Sequence, residues 1–161
     1  MQSVHSQPIF VSPHSGKKLE FRAVTDNLTL TARNSVTDRL TGQQTGGAYY
    51  LFESVSGPGA GNRLHVHRRE DEVAYVLEGA LEIRLVDQTV VVEAGGVAHL
   101  PKNVPHALRN PLPTPSRYLF LAIPAGLDQW FEALAAARQA GTLDDARYDQ
   151  LSREYGIEWL E

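Results

Sequence analysis

Three histidines and a glutamate, His65, His67, Glu72 and His106, are the residues of this chain best suited to chemistry. Imidazole nitrogen and carboxylate oxygen make a donor set that suits one divalent transition metal ion, whether Fe, Mn, Ni, Co, Cu or Zn. The 161-residue chain has six histidines and no cysteine. A thiolate site is therefore excluded, and half of the imidazoles fall to one proposed spot. His5, His14 and His99 have no such company and read as surface or core side chains.

Spacing argues for convergence. Residues two apart share a face on a strand and oppose each other on a helix. His65 and His67, flanked by Arg63, Leu64 and Val66, therefore project together from a strand, about 6.7 Å apart along it. Two long side chains at that separation can meet one ion at about 2.1 Å. Arg68-Arg69-Glu70-Asp71 is entirely charged and reads as an exposed turn. Val73 to Leu77 then reads as a return strand, so a hairpin would bring Glu72 back beside His67. Glu70 and Asp71 compete for the carboxylate role, but they lie in the turn, whereas Glu72 begins the strand. His106 opens another short strand after the turn Pro101-Lys102-Asn103-Val104-Pro105. The partners that ligand histidines need for their second ring nitrogen are not legible in the spacing.

These residues resemble the two motifs of the cupin superfamily. Gly59, His65, His67, Glu72 and Gly79 match G-x5-H-x-H-x4-E-x6-G. Gly95, Pro101, His106 and Asn110 match G-x5-P-x-G-x2-H-x3-N, with Asn103 where the family has glycine. Asparagine is the non-glycine residue most tolerant of positive φ, so the turn is expected to survive. The resemblance covers residues 45 to 124. It implies an all-β jelly-roll or double-stranded β-helix barrel, with His65, His67, Glu72 and His106 as metal ligands and Glu72 also catalytic. The runs Thr45 to Glu53 and Arg69 to Glu72, with a helical tail ending Tyr155-Gly156-Ile157-Glu158-Trp159-Leu160, are similar to single-cupin proteins related to bacterial quercetin 2,3-dioxygenases.

The elements that must position these side chains follow from patterning. Residues 1–16 are polar with Pro8, Pro13 and Gly16, and read as an arm. Residues 17–124 read as the barrel. Leu19 to Val24 and Leu28 to Ala32 alternate like strands about an Asp26-Asn27 turn, and Asn34 to Gly47 reads as a loop. Strands are expected over Tyr49–Val55, Leu81–Val86, Thr89–Glu93, Val97–Leu100, His106–Asn110 and Tyr118–Ile123. Many short strands at regular spacing favour a closed barrel or jelly roll. Residues 125–161 read as a pair of helices, Asp128–Arg138 and Leu143–Tyr155, the first carrying an apolar stripe of Leu127, Trp130, Phe131 and Leu134. The stripe packs on the barrel or caps its mouth.

At 161 residues with 42% hydrophobic content this is a single globular domain with a sizeable core. A net charge of −4 argues against nucleic acid or an anionic membrane as partners. The N-terminal stretch lacks a basic start and apolar run, and no stretch approaches the ~20 apolar residues of a membrane span. A cytoplasmic protein is the expectation, and the resemblance implies a homodimer.

Strand parity places Arg63 on the face of His65 and His67, Ala74 and Val76 on that of Glu72, and Leu108 and Asn110 on that of His106. Arg63, Ala74, Val76 and Leu108 are thus the expected substrate-binding residues. A largely apolar lining suits a flat aromatic molecule better than a sugar phosphate. The resemblance implies a dioxygenase of a flavonol-like, enolic substrate. The ion would bind the enolic oxygen, Glu72 would take its proton, and O2 would open the ring with loss of carbon monoxide. A non-catalytic metal or small-ligand binder, or an isomerase or decarboxylase of a small acid or sugar, uses the same ligands.

Overall fold

Alternation along Ser116–Ile123 turns Ser116, Tyr118, Phe120 and Ala122 to one side, and all four are buried. The computed structural model, which describes residues 8–22 and 33–161, builds a two-sheet barrel from such strands. In chain order these are β1 (Lys18–Arg22), β2 (Arg33–Leu40), β3 (Tyr50–Ser56), β4 (His65–His67), β5 (Asp71–Glu78), β6 (Ala80–Arg84), β7 (Thr89–Glu93), β8 (Val97–Leu100), β9 (Ala107–Arg109), β10 (Ser116–Ile123) and β11 (Ile157–Trp159). Helices are α1 (Gly42–Thr45), α2 (Leu127–Gln139) and α3 (Asp145–Glu154).

One sheet runs β1-β2-β3-β10-β5-β8, and every pairing in it is antiparallel. Facing it are β7-β6-β9 and β11-β4. Bridges Gly61↔Arg109 and His65↔His106 stitch these into one continuous layer. The inner face of the large sheet stacks Phe52 on Phe120 (5.2 Å) and Tyr50 on Phe52 (4.7 Å). The jelly-roll expectation is met.

The apolar stripe of α2 is buried at Leu127, Trp130, Phe131 and Leu134. Phe131 sets its edge on Phe52 at 5.7 Å. Burying side chains of this size contributes about 1.5–3 kcal/mol each, so the helix is bound to the barrel by packing. Among the described residues, no helix is long and apolar enough to cross a membrane.

Three expectations need correction. Asn34–Gly47 is not a loop: it holds β2 and α1, the latter capped reciprocally by Thr41 and Gln44. The strand is mostly polar, and its inner side sets Val36 beside Asp38, which accepts a hydrogen bond from the Tyr50 hydroxyl, so apolar alternation announces it only weakly. β4 and β5 do not form a hairpin: β4 pairs with β11, while β5 pairs with β10 and β8. The charged stretch between them crosses from one sheet to the other. The C-terminal tail is not helical to its end: Gly156 (φ 84) turns the chain after α3 into β11. The strand expected at Leu28–Ala32 lies outside the described residues.

Asn110, placed by parity beside His106, is instead the knot of a loop. Fully buried, it donates through Nδ2 to the carbonyls of Ser56, Gly57 and Thr114. Its Oδ1 accepts from Leu112 N and Ser116 Oγ. Asn110→Ala leaves several of these groups without partners. At ~1–3 kcal/mol for each buried group, the expected loss is about 2–4 kcal/mol, measurable by urea denaturation.

Candidate metal centre

The two sheets meet over four side chains. β4 turns His65 and His67 inward. His106 lies directly opposite His65 across the bridge, the two exchanging backbone hydrogen bonds of 3.0 and 2.9 Å. Residues so paired project to the same side, and their ring centroids stand 4.6 Å apart. Glu72 arrives from the opposing sheet, between Ala122 of β10 and Leu100 of β8. Asn103, at φ 66, donates its amide to the His67 carbonyl at 2.8 Å, which ties the turn before His106 to β4. Asparagine thus takes the left-handed backbone where glycine would be usual.

One ligand atom from each of the four lies within 4.8 Å of every other. Glu72 Oε2 is 3.4 Å from His67 Nε2 and 3.3 Å from His106 Nε2. Donors about 2.1 Å from a shared ion at tetrahedral to octahedral angles are about 3.0–3.4 Å apart. His65 Nδ1 donates to the Arg63 carbonyl (2.9 Å) and His106 Nδ1 to the Val104 carbonyl (3.0 Å). A carbonyl can only accept, so Nδ1 carries the proton and Nε2 presents a lone pair. His106 Nε2 and Glu72 Oε2 are both buried without a hydrogen-bond partner. An acceptor facing an acceptor in a dry interior is costly, and a shared cation removes the conflict. The donor set fits a divalent transition ion.

Burial and neighbouring charges together set the protonation. Desolvation, with the His67 and His106 imidazoles beside it, pushes His65 down to about 3. Burial alone would raise the Glu72 carboxyl, but His67, His106 and His65 outweigh it and bring it down to about 2. Burial would likewise lower His67, yet Glu72 and Glu70 together raise it. Ionised carboxylate and lone-pair imidazole are the forms a metal binds, so an ion must displace the proton that Glu72 and Glu70 favour on His67.

The expected substrate-binding residues divide. Ala74 and Val76 are fully buried on the Glu72 face, and Leu108 is part-buried against the core. Arg63 is committed elsewhere. It pairs with Asp149 of α3 at 3.0 Å, donates to the Glu161 carbonyl and lies over the Trp159 ring at 4.8 Å. Its guanidinium holds the C-terminal segment. Asp71 turns outward to accept from Lys102 N. Glu70, read as an exposed turn residue, is 1% exposed.

Trp159 was invisible to spacing arguments. It sits opposite His65 in the β4–β11 register, with its ring 4.9 Å from the imidazole. Tyr148 stacks on Trp159 at 5.5 Å and meets Trp130 at 6.0 Å. A cavity of about 640 Å³ lined by Ile9, Pro13, Arg39, Leu51 and Leu119 includes none of the four donors.

Residues 52–122 match the family described as Cupin domain. Over 80 residues, half of this chain, the sequence is 31% identical to quercetin 2,3-dioxygenase of Bacillus subtilis strain 168, and it spans 24% of that protein's length. A Salmonella typhimurium protein of ethanolamine utilization (protein Q) is 29% identical. Its structure superposes with a TM-score of 0.50 over 57% of this chain and 70% of its own. A predicted oxalate decarboxylase of Thermotoga maritima, 18% identical, superposes with a TM-score of 0.61 over 72% of this chain and 99% of its own, a likeness of fold. Motifs, barrel and buried donor cluster agree with these matches: residues 52–122 form a cupin domain.

Proposed function

We propose that this cupin is a metal-dependent dioxygenase acting on a small enolic, ring-containing substrate, with flavonol-like compounds as the first candidates. His65, His67, Glu72 and His106 would hold one divalent transition ion. When bound, that ion supplies a Lewis-acid position for an enolic oxygen and for O2. The observation that carries the reading is the aromatic run of Trp159, Tyr148 and Trp130 laid against His65. Flat rings stack favourably on such surfaces. Ala74, Val76 and Leu108 extend an apolar lining that keeps water out.

The Glu72 carboxylate stands among the three imidazoles, where it would accept the proton of an enolic hydroxyl bound beside it. The Trp159 indole N–H is buried without an acceptor. Arg63, clamped to Asp149, keeps that indole in place. The local likeness to a protein named quercetin 2,3-dioxygenase supports the same substrate class.

The test is oxygen uptake and carbon monoxide release by metal-loaded protein across a flavonol panel. Consumption of O2 with matching carbon monoxide is expected. Full metal content without O2 consumption contradicts the proposal and selects a second reading, a metal or small-ligand binder without turnover. That second reading is favoured by burial: the four donors are only 1–5% exposed. Trp159→Ala separates substrate contact from metal binding. Metal content should stay at the wild-type level while KM for the aromatic substrate rises about tenfold, equivalent to ~1.4 kcal/mol of aromatic contact.

A further inference from the structure

The three histidines do not have equivalent surroundings. His65 and His106 each give Nδ1–H to a backbone carbonyl. His67 Nδ1 instead faces a carboxylate oxygen, Glu70 Oε2, at 3.4 Å. Both atoms are buried and neither has a hydrogen-bond partner. The exposed guanidinium groups of Arg68 and Arg69 turn away, to Glu158 and to the Glu154 carbonyl. Glu70 is therefore a buried carboxylate whose Oε2 faces His67 Nδ1.

The surroundings make room for the carboxylate and for its charge. A Cβ on Gly126 would stand 3.2 Å from Glu70 Oε1, and Gly126 holds φ 156 as the N-cap of α2. The positive end of a 13-residue helix thus begins beside the carboxylate. Charge balance points the same way. Three neutral imidazoles and Glu72 leave a divalent ion with one uncompensated positive charge in a dry interior. Glu70 supplies the second negative charge.

We infer that Glu70 is a positioning residue of the metal centre: it accepts the His67 Nδ1 proton, fixes the tautomer that aims Nε2 at the ion, and neutralises the buried site. The inference rests on the reading that the four donors hold a metal. A carboxylate partner makes His67 a stronger donor than His65 or His106, whose partners are uncharged.

The experiment measures Zn(II) and Mn(II) affinity by chelator competition for wild type and Glu70→Gln, with melting of both metal-free proteins alongside. Glu70→Gln should bind each ion 10- to 100-fold more weakly, as for lost outer partners of ligand histidines. Its metal-free form should melt close to wild type, because the amide oxygen of Gln can still accept from His67 Nδ1. A parallel loss of metal-free stability and affinity, or unchanged affinity, overturns the inference. Imidazole nitrogen NMR of Zn(II)-loaded wild type decides the matter should the variant not fold. The His67 Nδ1 proton should be the furthest downfield of the three, and a His67 unprotonated at Nδ1 overturns the assignment. Wild type that binds neither ion refutes the metal reading itself, an outcome distinct from the others.

Discussion

His106→Ala is expected to lose its metal at concentrations that saturate the wild type. The imidazole comes from the turn 101–105 and sits opposite His65, so no neighbouring side chain can take its place. Losing an outer partner of a ligand histidine costs 10–100-fold in affinity, and losing a ligand outright should cost more than about 100-fold. The metal-free fold should change little. The backbone bridge to His65 does not depend on the side chain, and the Val104 carbonyl loses one hydrogen bond, about 1–3 kcal/mol at most. Elemental analysis after dialysis, with melting of the metal-free proteins, separates the two effects. Metal content at the wild-type level would remove His106 from the site.

Glu72→Gln should have the largest effect on turnover. The amide preserves shape and an oxygen donor but cannot hold a substrate proton at Glu72. General-base contributions of this kind are worth about 10²–10⁴-fold. The comparison is made per bound ion, because weaker metal binding alone would also lower the rate. A fall in kcat with metal occupancy restored by excess ion is expected. Wild-type kcat in the loaded variant would exclude Glu72 as the proton acceptor.

The donors were legible from spacing and motif, although Glu72 reaches them from the opposing sheet and not by the expected hairpin. The two-residue spacing of His65 and His67 has one meaning on a strand, and a rigid proline turn sets His106. The amphipathic stripe of α2 was legible because its period of 3.6 residues repeats across one segment. Three features were hidden by being non-local. The partner of β4 is β11, some ninety residues away, and nothing in the β4 sequence names it. Trp159 reaches His65 only through that pairing. Glu70 stands in a run of five charged residues, Arg68 to Glu72, in the part that reads as a solvated turn. The crossing from one sheet to the other buries it beneath the start of α2. β2 was hidden differently: its inner Asp38 is satisfied by Tyr50, so a polar residue occupies a position where an apolar one would have signalled a strand.

The central claim is that three imidazoles and one carboxylate share one ion. X-ray absorption at the metal edge of the wild-type protein reads that shell directly. The account predicts nitrogen and oxygen neighbours at about 2.0–2.2 Å, with multiple scattering from three imidazole rings and one weakened in His106→Ala. A shell of water oxygens without imidazole scattering, or one that His106→Ala leaves unchanged, would contradict it.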